Sequence, residues 1–266
     1  MAAAERKKTT MEMKPMHESW EASWPNEYAK FLSKKLDITR TKRHQSNKLS
    51  DGQALECPPA SVSGGLGLVT IMAMSKGQLR KHIASILQSV STEEIARQSR
   101  VVAEKVLTHD RYRQSQRVSI YLSTAQEINT EPILADLLGS GKTVYIPRFD
   151  GKRSVMEMVR LRGMDDYHSL PVTTWNIKQP KLDEQRENAL ETGGLDLIIV
   201  PGVAFTTEGR RLGHGKGYYD TFFAQHKQIC GRHPYSLALA LREQVIQDVP
   251  VTDRDHIIDR VVYDCP

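Results

Sequence analysis

A chain of 266 residues, 39% of them hydrophobic, has room for one sizeable domain or two small ones and enough apolar material for a packed core. The formal charge of +5 is uneven: residues 1–73 hold 11 Lys/Arg against 8 Asp/Glu, leaving 26 against 24 in residues 74–266. Near-neutrality of the main body excludes a general nucleic-acid surface, which needs clustered cations, and the lack of a run of roughly eighteen apolar residues excludes a helical membrane span.

Residues 1–73 show no sustained periodicity and read as a disordered extension, separate from a domain over residues 74–266. A short helix around Tyr28–Leu36 is expected there, from Tyr28, Phe31, Leu32 and Leu36. The basic run Arg40–His44 reads as a solvated tail or as a nucleic-acid signal. Glu5, Glu12, Glu18, Glu21 and Glu27 interrupt what a transit peptide keeps acid-poor. Cys57, Cys230 and Cys265 form no Cys-x-x-Cys pair, so a reducing, cytoplasmic setting is expected.

Order is expected from Ser75. Leu79, Ile83, Ile86, Leu87 and Val90 fall on one helical face behind a serine cap. Ser91-Thr-Glu-Glu94 has the form of a capping box, and opens a second helix with a stripe of Ile95, Val102 and Val106. From Arg117 the period becomes two, with Val118, Ile120 and Leu122 alternating with Ser119, Tyr121 and Ser123 as in a strand. After a loop through Glu127, Thr130-Glu-Pro132 starts a short helix that Gly139 and Gly141 close.

Thr143–Ile146 and Val155–Leu161 read as strands, and the apolar run Leu195–Val200 reads as a strand buried on both faces. Beyond Pro201-Gly202 comes the decapeptide Arg211-Leu-Gly-His-Gly-Lys-Gly-Tyr-Tyr-Asp220, then a helix carrying Phe222 and Phe223. Tyr235–Leu241 and Asp259–Tyr263 are the last expected strands, with a short helix or turn at 243–247 between them. Strands alternating with helices predict a three-layer α/β sandwich with a mixed, largely parallel sheet.

The decapeptide carries the strongest chemical signal. Gly213, Gly215 and Gly217 alternate with His214 and Lys216 just before a helix, so backbone N–H groups can approach an anion at the helix's positive end. The spacing is neither a Walker A loop nor a dinucleotide fingerprint, and by itself fits a phosphate loop or a tight structural turn. Arg211 and Lys216 tilt it toward phosphate. Asp220 reads as a Mg²⁺ ligand or as a first-turn carboxylate. Lys76 and Arg80, one turn apart, reach a single phosphate group or line a solvated face. Glu127 follows a strand end, where function concentrates in open α/β sheets. Trp175, between Pro171 and Pro180, stacks on a flat ligand or packs. With neither a Gly-x-Ser-x-Gly elbow nor a His-Glu-x-x-His pair, covalent-nucleophile hydrolysis is disfavoured.

Taken together, these stretches resemble the 5-formyltetrahydrofolate cyclo-ligase (methenyltetrahydrofolate synthetase) family in its animal form. The resemblance runs from about Ser75 almost to the C-terminus. It is carried by Lys76-Gly-Gln-Leu-Arg80, Ser91–Arg100, Ser119-Ile-Tyr-Leu122 with Glu127, Tyr145-Ile-Pro-Arg148, Trp175-Asn-Ile with Gln179-Pro180, Thr192–Ile198 and the decapeptide. It implies an ATP- and Mg²⁺-dependent enzyme that cyclises 5-formyltetrahydrofolate and its polyglutamates to the 5,10-methenyl form through an N5-iminium phosphate, releasing ADP and phosphate.

The resemblance further implies that ATP meets Lys76, Gly77, Gln78, Leu79 and Arg80, together with Arg211, Leu212, Gly213, His214, Gly215, Lys216, Gly217, Tyr218 and Tyr219. Leu122, Glu127, Trp175, His214 and Tyr218 would face the folate, Asp220 and Asp255 would hold Mg²⁺, and Lys216 and Arg211 would serve the transfer itself. His214 is a departure, since animal members often carry arginine there. A monomer with neither nucleic-acid nor membrane partners is expected. Two rival readings stay open: a sugar-phosphate isomerase-like enzyme of similar architecture, and a nucleotide- or nucleic-acid-binding module.

Overall fold

The computed structural model describes residues 74–150, 155–174 and 176–265. The expected disordered extension, the expected helix at Tyr28–Leu36 and the Trp175 side chain lie outside the described residues.

Helix α1 (Lys76–Leu87) begins at a full reciprocal capping box: the Ser75 hydroxyl accepts from the Gln78 N–H, and the Gln78 amide oxygen accepts from the Ser75 N–H. Leu79, Ile83 and Leu87 bury its inner face, each contributing roughly 2 kcal/mol of apolar burial. Helix α2 (Thr92–Thr108) corrects the sequence reading at its start. Ser91 caps the Glu94 N–H, but the Glu94 carboxylate turns to Arg97 and Gln98, because a guanidinium one turn along offers two 2.7 Å charge-assisted bonds. A short helix α3 (Asp110–Gln114) then leads into strand β1 (Arg117–Ile120).

The chain continues through α4 (Glu131–Gly139), β2 (Thr143–Phe149), β3 (Met156–Leu161), α5 (Met164–Ser169), β4 (Leu197–Val200), the two-residue strands β5 (Ala204–Phe205) and β6 (Arg211–Leu212), α6 (Tyr218–Cys230), β7 (Tyr235–Ala240) and β8 (Arg260–Tyr263). Six strands form one sheet in the order β3-β2-β1-β4-β7-β8; all neighbours are parallel except β2 and β3. β5 and β6 make a separate antiparallel hairpin. Pro147 is tolerated inside β2 because it lies past the last β1 partner, Tyr145 opposite Ser119, where one side of the strand has no ladder to donate into.

Alternation along the strands feeds two cores. Val118, Ile120, Leu197, Ile199, Leu237 and Leu239 pack with the inner faces of α1, α2 and α4. Tyr145, Ile198, Val200, Ala238 and Ala240 pack with Phe222 and Phe223 of α6. The result is a three-layer α/β sandwich with a mixed, mostly parallel sheet. β1 connects onward to β2 on one side, while its other neighbour, β4, begins the run toward β8. The crevice beyond the carboxyl ends of β1 and β4 is therefore the sheet's switch point, where ligands of open α/β folds bind.

Candidate active site

The decapeptide begins in the β5–β6 hairpin and ends in the first turn of α6. The hairpin register, Phe205 opposite Arg211 and Ala204 opposite Leu212, aims the following residues across the crevice. Gly215 (φ +102°) and Gly217 (φ +67°) occupy left-handed conformations, and Gly217 opens α6 without a side-chain cap. The first N–H groups of the helix are thus left for a ligand or solvent, at its positive end.

Helix α1 reaches this loop directly. Arg80 Nε donates to the Gly213 carbonyl at 2.7 Å, and a Cβ on Gly215 would stand 3.4 Å from the Arg80 guanidinium carbon. One turn earlier, Lys76 Nζ meets Asp255 Oδ2 at 2.7 Å. Asp255 also accepts from the Thr252 N–H and hydroxyl at 2.6 and 3.0 Å. Burial works to raise the Asp255 carboxyl, but Lys76 and these two donors outweigh it and hold the group below its ordinary range. The two α1 cations do not line a solvated face.

Arg211 departs from its expected place as a cation beside exposed amides. It is only 6% exposed, and its two terminal nitrogens donate to the Pro201 carbonyl at 3.3 Å and to both oxygens of Asp220 at 3.1 Å. The hairpin tucks the side chain under the loop and against the end of β4. Its Nε is buried without a partner. Asp220 in turn accepts from the His256 N–H at 3.1 Å, which draws the segment containing Asp255 to the same place.

On the β1 side, Glu127 accepts from the Thr124 N–H and hydroxyl at 2.8 and 2.9 Å, which fixes the turn after the strand. The Ser99 hydroxyl of α2 accepts the Asn129 N–H and holds the same loop from behind. Burial pushes the Tyr121 and Tyr219 phenols well up, and the negative charge of Glu127 adds to both shifts. The Arg211 guanidinium lies 5.5 Å from the Tyr219 ring centroid. Arg211, Tyr219, Glu127 and Tyr121 thus belong to one electrostatic neighbourhood. Tyr218 stacks on Phe149, the last residue of β2, with ring centroids 5.5 Å apart.

Other expected site residues fall differently. Leu79 and Leu212 are buried in the core, so their side chains do not face the crevice. Leu122, two residues past β1, is likewise buried in that core. The Gln78 amide is engaged in the α1 cap, and Gly77 lies beside that cap. His214 and Lys216 are exposed on the loop. Sequence reasoning missed His256, Phe149 and Thr124, whose contributions run through backbone groups, ring stacking or a single hydroxyl and leave no motif.

Asp220 and Asp255 suit a particular kind of metal site. Among the described residues no cluster of three or more His, Cys, Asp or Glu is placed to hold an ion. Two carboxylates in one corner fit Mg²⁺ that takes its remaining ligands from nucleotide phosphates and water, rather than an all-protein cage.

A model of the 5-formyltetrahydrofolate cyclo-ligase family matches residues 72–264. The chain belongs to this family. It is 42% identical over 202 residues to the 5-formyltetrahydrofolate cyclo-ligase of Mus musculus, covering 75% of this chain and 98% of the mouse protein. A probable cyclo-ligase of Caenorhabditis elegans is 42% identical over 190 residues, covering 71% and 92%. The solved 5,10-methenyltetrahydrofolate synthetase of Aquifex aeolicus superposes with a TM-score of 0.58 at 28% identity, covering 71% of this chain and 89% of that one. The synthetase of Mycoplasma pneumoniae, at 19% identity and a TM-score of 0.54 over 72% and 99%, shares the fold. As a member of the cyclo-ligase family the chain is an enzyme, and no helix among its described residues is long and apolar enough to cross a membrane.

Proposed function

We propose that the chain converts 5-formyltetrahydrofolate and its polyglutamates to 5,10-methenyltetrahydrofolate with consumption of ATP. Besides family membership, one observation carries this reading: the glycine loop that Arg80 of α1 grips at Gly213 leads into a helix start with no side-chain cap, with Arg211 buried beneath the loop. Free amides at a helix start beside an arginine-held loop favour a negatively charged ligand.

The triphosphate lies along the loop from Arg211 to Tyr219, with Lys76, Arg80 and Lys216 around it. The formyl oxygen attacks the γ-phosphate, ADP leaves, and the folate becomes an N5-iminium phosphate. N10 then attacks the former formyl carbon, a proton leaves N10, and the C–O bond to phosphate breaks as the ring closes. An amide oxygen leaves poorly and its phosphate ester leaves well, so the protein's work is chiefly placement and charge neutralisation. Arg211, Lys216 and the loop amides supply that neutralisation. Asp220 and Asp255 are the residues that would hold Mg²⁺, which adds positive charge at the phosphate oxygens. Glu127 and Tyr218 orient the folate.

The same reading takes residues 74–266 as the catalytic domain and residues 1–73 as an extension outside it. It describes a cytoplasmic monomer with neither nucleic-acid nor membrane partners. The test is direct: protein, MgATP and 5-formyltetrahydrofolate are mixed and the near-ultraviolet absorbance of the methenyl product is followed. Growth of the band only with both substrates present is the expected result. Absence of growth, or growth indifferent to ATP, rejects the proposal.

A further inference from the structure

Two sequence stretches, Tyr145-Ile-Pro-Arg148 and Gln179-Pro180, have no task in the chemistry above, and the structure joins them. Gln179 is 7% exposed. Its Nε2 donates to the Phe149 carbonyl at 3.1 Å and its Oε1 accepts from the Phe149 N–H at 3.3 Å, so one side chain occupies both backbone groups of that residue. Next to it, the buried Arg148 donates to the carbonyls of Lys181 and Glu184 at 3.1 and 2.7 Å, and to Glu157 through its other nitrogens at 3.1 and 2.7 Å.

These bonds matter because the segment they hold has little structure of its own. Among the described residues its backbone pairing is the bridge between Val172 and Lys178, with the Thr173 N–H on the Ile177 carbonyl at 2.9 Å and the Gln179 N–H on the Pro171 carbonyl at 3.2 Å. Arg148 and Gln179 therefore tie residues 171–184 to β2, while Lys178 ties the same segment to Tyr167. Phe149, gripped from this side, presents its ring to Tyr218 on the other. Arg211, which also holds Asp220, meets the end of β4 through the Pro201 carbonyl, whereas Tyr218 meets the end of β2, next to the β1 strand that leads to Glu127.

We infer that Gln179 is a positioning residue for the folate half of the site: it fixes Phe149, and through the ring stack Tyr218, as a wall for a flat heteroaromatic ring. The phosphate half is anchored by Arg80 on Gly213 and by Arg211 on Asp220, contacts in which Gln179 takes no part. This rests on the proposed cyclo-ligase reading. A primary amide meets the requirement because it donates and accepts at once. Leucine offers neither function, and an ionised glutamate accepts from the Phe149 N–H but has nothing to give its carbonyl.

The test uses the full chain, with steady-state kinetics in both substrates and an equilibrium titration of ATP. Gln179→Leu is expected to raise KM for 5-formyltetrahydrofolate about tenfold, with KM and Kd for ATP staying within about twofold. Gln179→Glu is expected to fall between wild type and Gln179→Leu in folate KM. An unchanged folate KM in the variants, or a parallel rise of both KM values, overturns the inference, the second because general loosening would move both. If Gln179→Leu does not fold, Gln179→Glu is judged alone by the same criteria. A wild-type chain that makes no methenyl product refutes the proposed function itself, whereas an active wild type with unmoved variants refutes only the role of Gln179.

Discussion

Arg211 and Asp220 face each other with both carboxylate oxygens 3.1 Å from one guanidinium nitrogen, the arginine side chain 4% exposed and the aspartate 20%. Removing one member of such a pair strands the other in a poorly hydrated place. Asp220→Ala is therefore expected to cost about 3 kcal/mol of stability. The double variant Arg211→Met with Asp220→Ala should recover part of that loss, as read in a double-mutant cycle of urea unfolding. Additive losses would show that the pair contributes nothing.

Under the proposed ATP-dependent reading, the Lys76–Asp255 and Arg211–Asp220 pairs would exchange partners on binding. Bare nucleotide attracts the cations but leaves two carboxylates facing phosphate, whereas nucleotide with Mg²⁺ satisfies both signs. ATP is expected to bind at least about tenfold more tightly in the presence of Mg²⁺, measured by calorimetry with and without chelator. Asp255→Asn should shrink that difference.

Lys216 stands exposed on the loop, with neither a side-chain hydrogen bond nor an ion pair among the described residues. Lys216→Ala is expected to leave the melting temperature unchanged while lowering turnover by about a hundredfold, the scale of a lost charge-stabilising donor. Unchanged MgATP-dependent turnover in the purified variant would refute its role.

Gly215 adopts φ +102°, and a methyl group there would come into contact with the Arg80 guanidinium at 3.4 Å. Gly215→Ala is expected to cost about 1–2 kcal/mol from backbone strain and to weaken ATP binding more than Lys216→Ala does, because it disturbs the loop and the cation beside it together. Thermal unfolding and nucleotide titration on the same sample separate the two effects.

His226 gives a pH signature away from the site. It is fully buried; its Nε2 accepts the Leu195 N–H at 2.8 Å, so the proton resides on Nδ1, 2.8 Å from the Arg232 carbonyl. Burial lowers its pKa below the usual 6.5, with the carbonyl contact opposing and the nearby Arg232 and His233 charges reinforcing the shift. Below pH 6.5 the unfolded chain takes up a proton that the folded chain refuses. The stabilisation from this residue is thus complete above that pH and declines as pH falls toward the lowered folded value. Urea unfolding at a series of pH values should show this slope, and His226→Gln should flatten it.

The sequence made much of this legible where a periodic pattern or a dense motif spoke for itself. Leu79, Ile83 and Leu87 announced α1, and the apolar run ending at Val200 announced β4. β5 and β6 were invisible because two residues cannot show alternation, and α3 and α5 because five or six residues complete too few turns. In the candidate site, the three glycines stood out by spacing, whereas Lys76, Arg80 and Asp220 were singled out by the family resemblance, since charge alone fitted a solvated face or a first-turn carboxylate as well. The burial of Arg211, the amide grip of Gln179 and the His256 contact were not readable, since each depends on distant segments meeting.

The bond from Arg80 ends on a main-chain oxygen of Gly213. An anchor of that kind cannot distinguish one loop side chain from another. The side chain at 214 can consequently change without the loop losing its seat, whereas the charge at 216 is a separate requirement that this anchor does not supply.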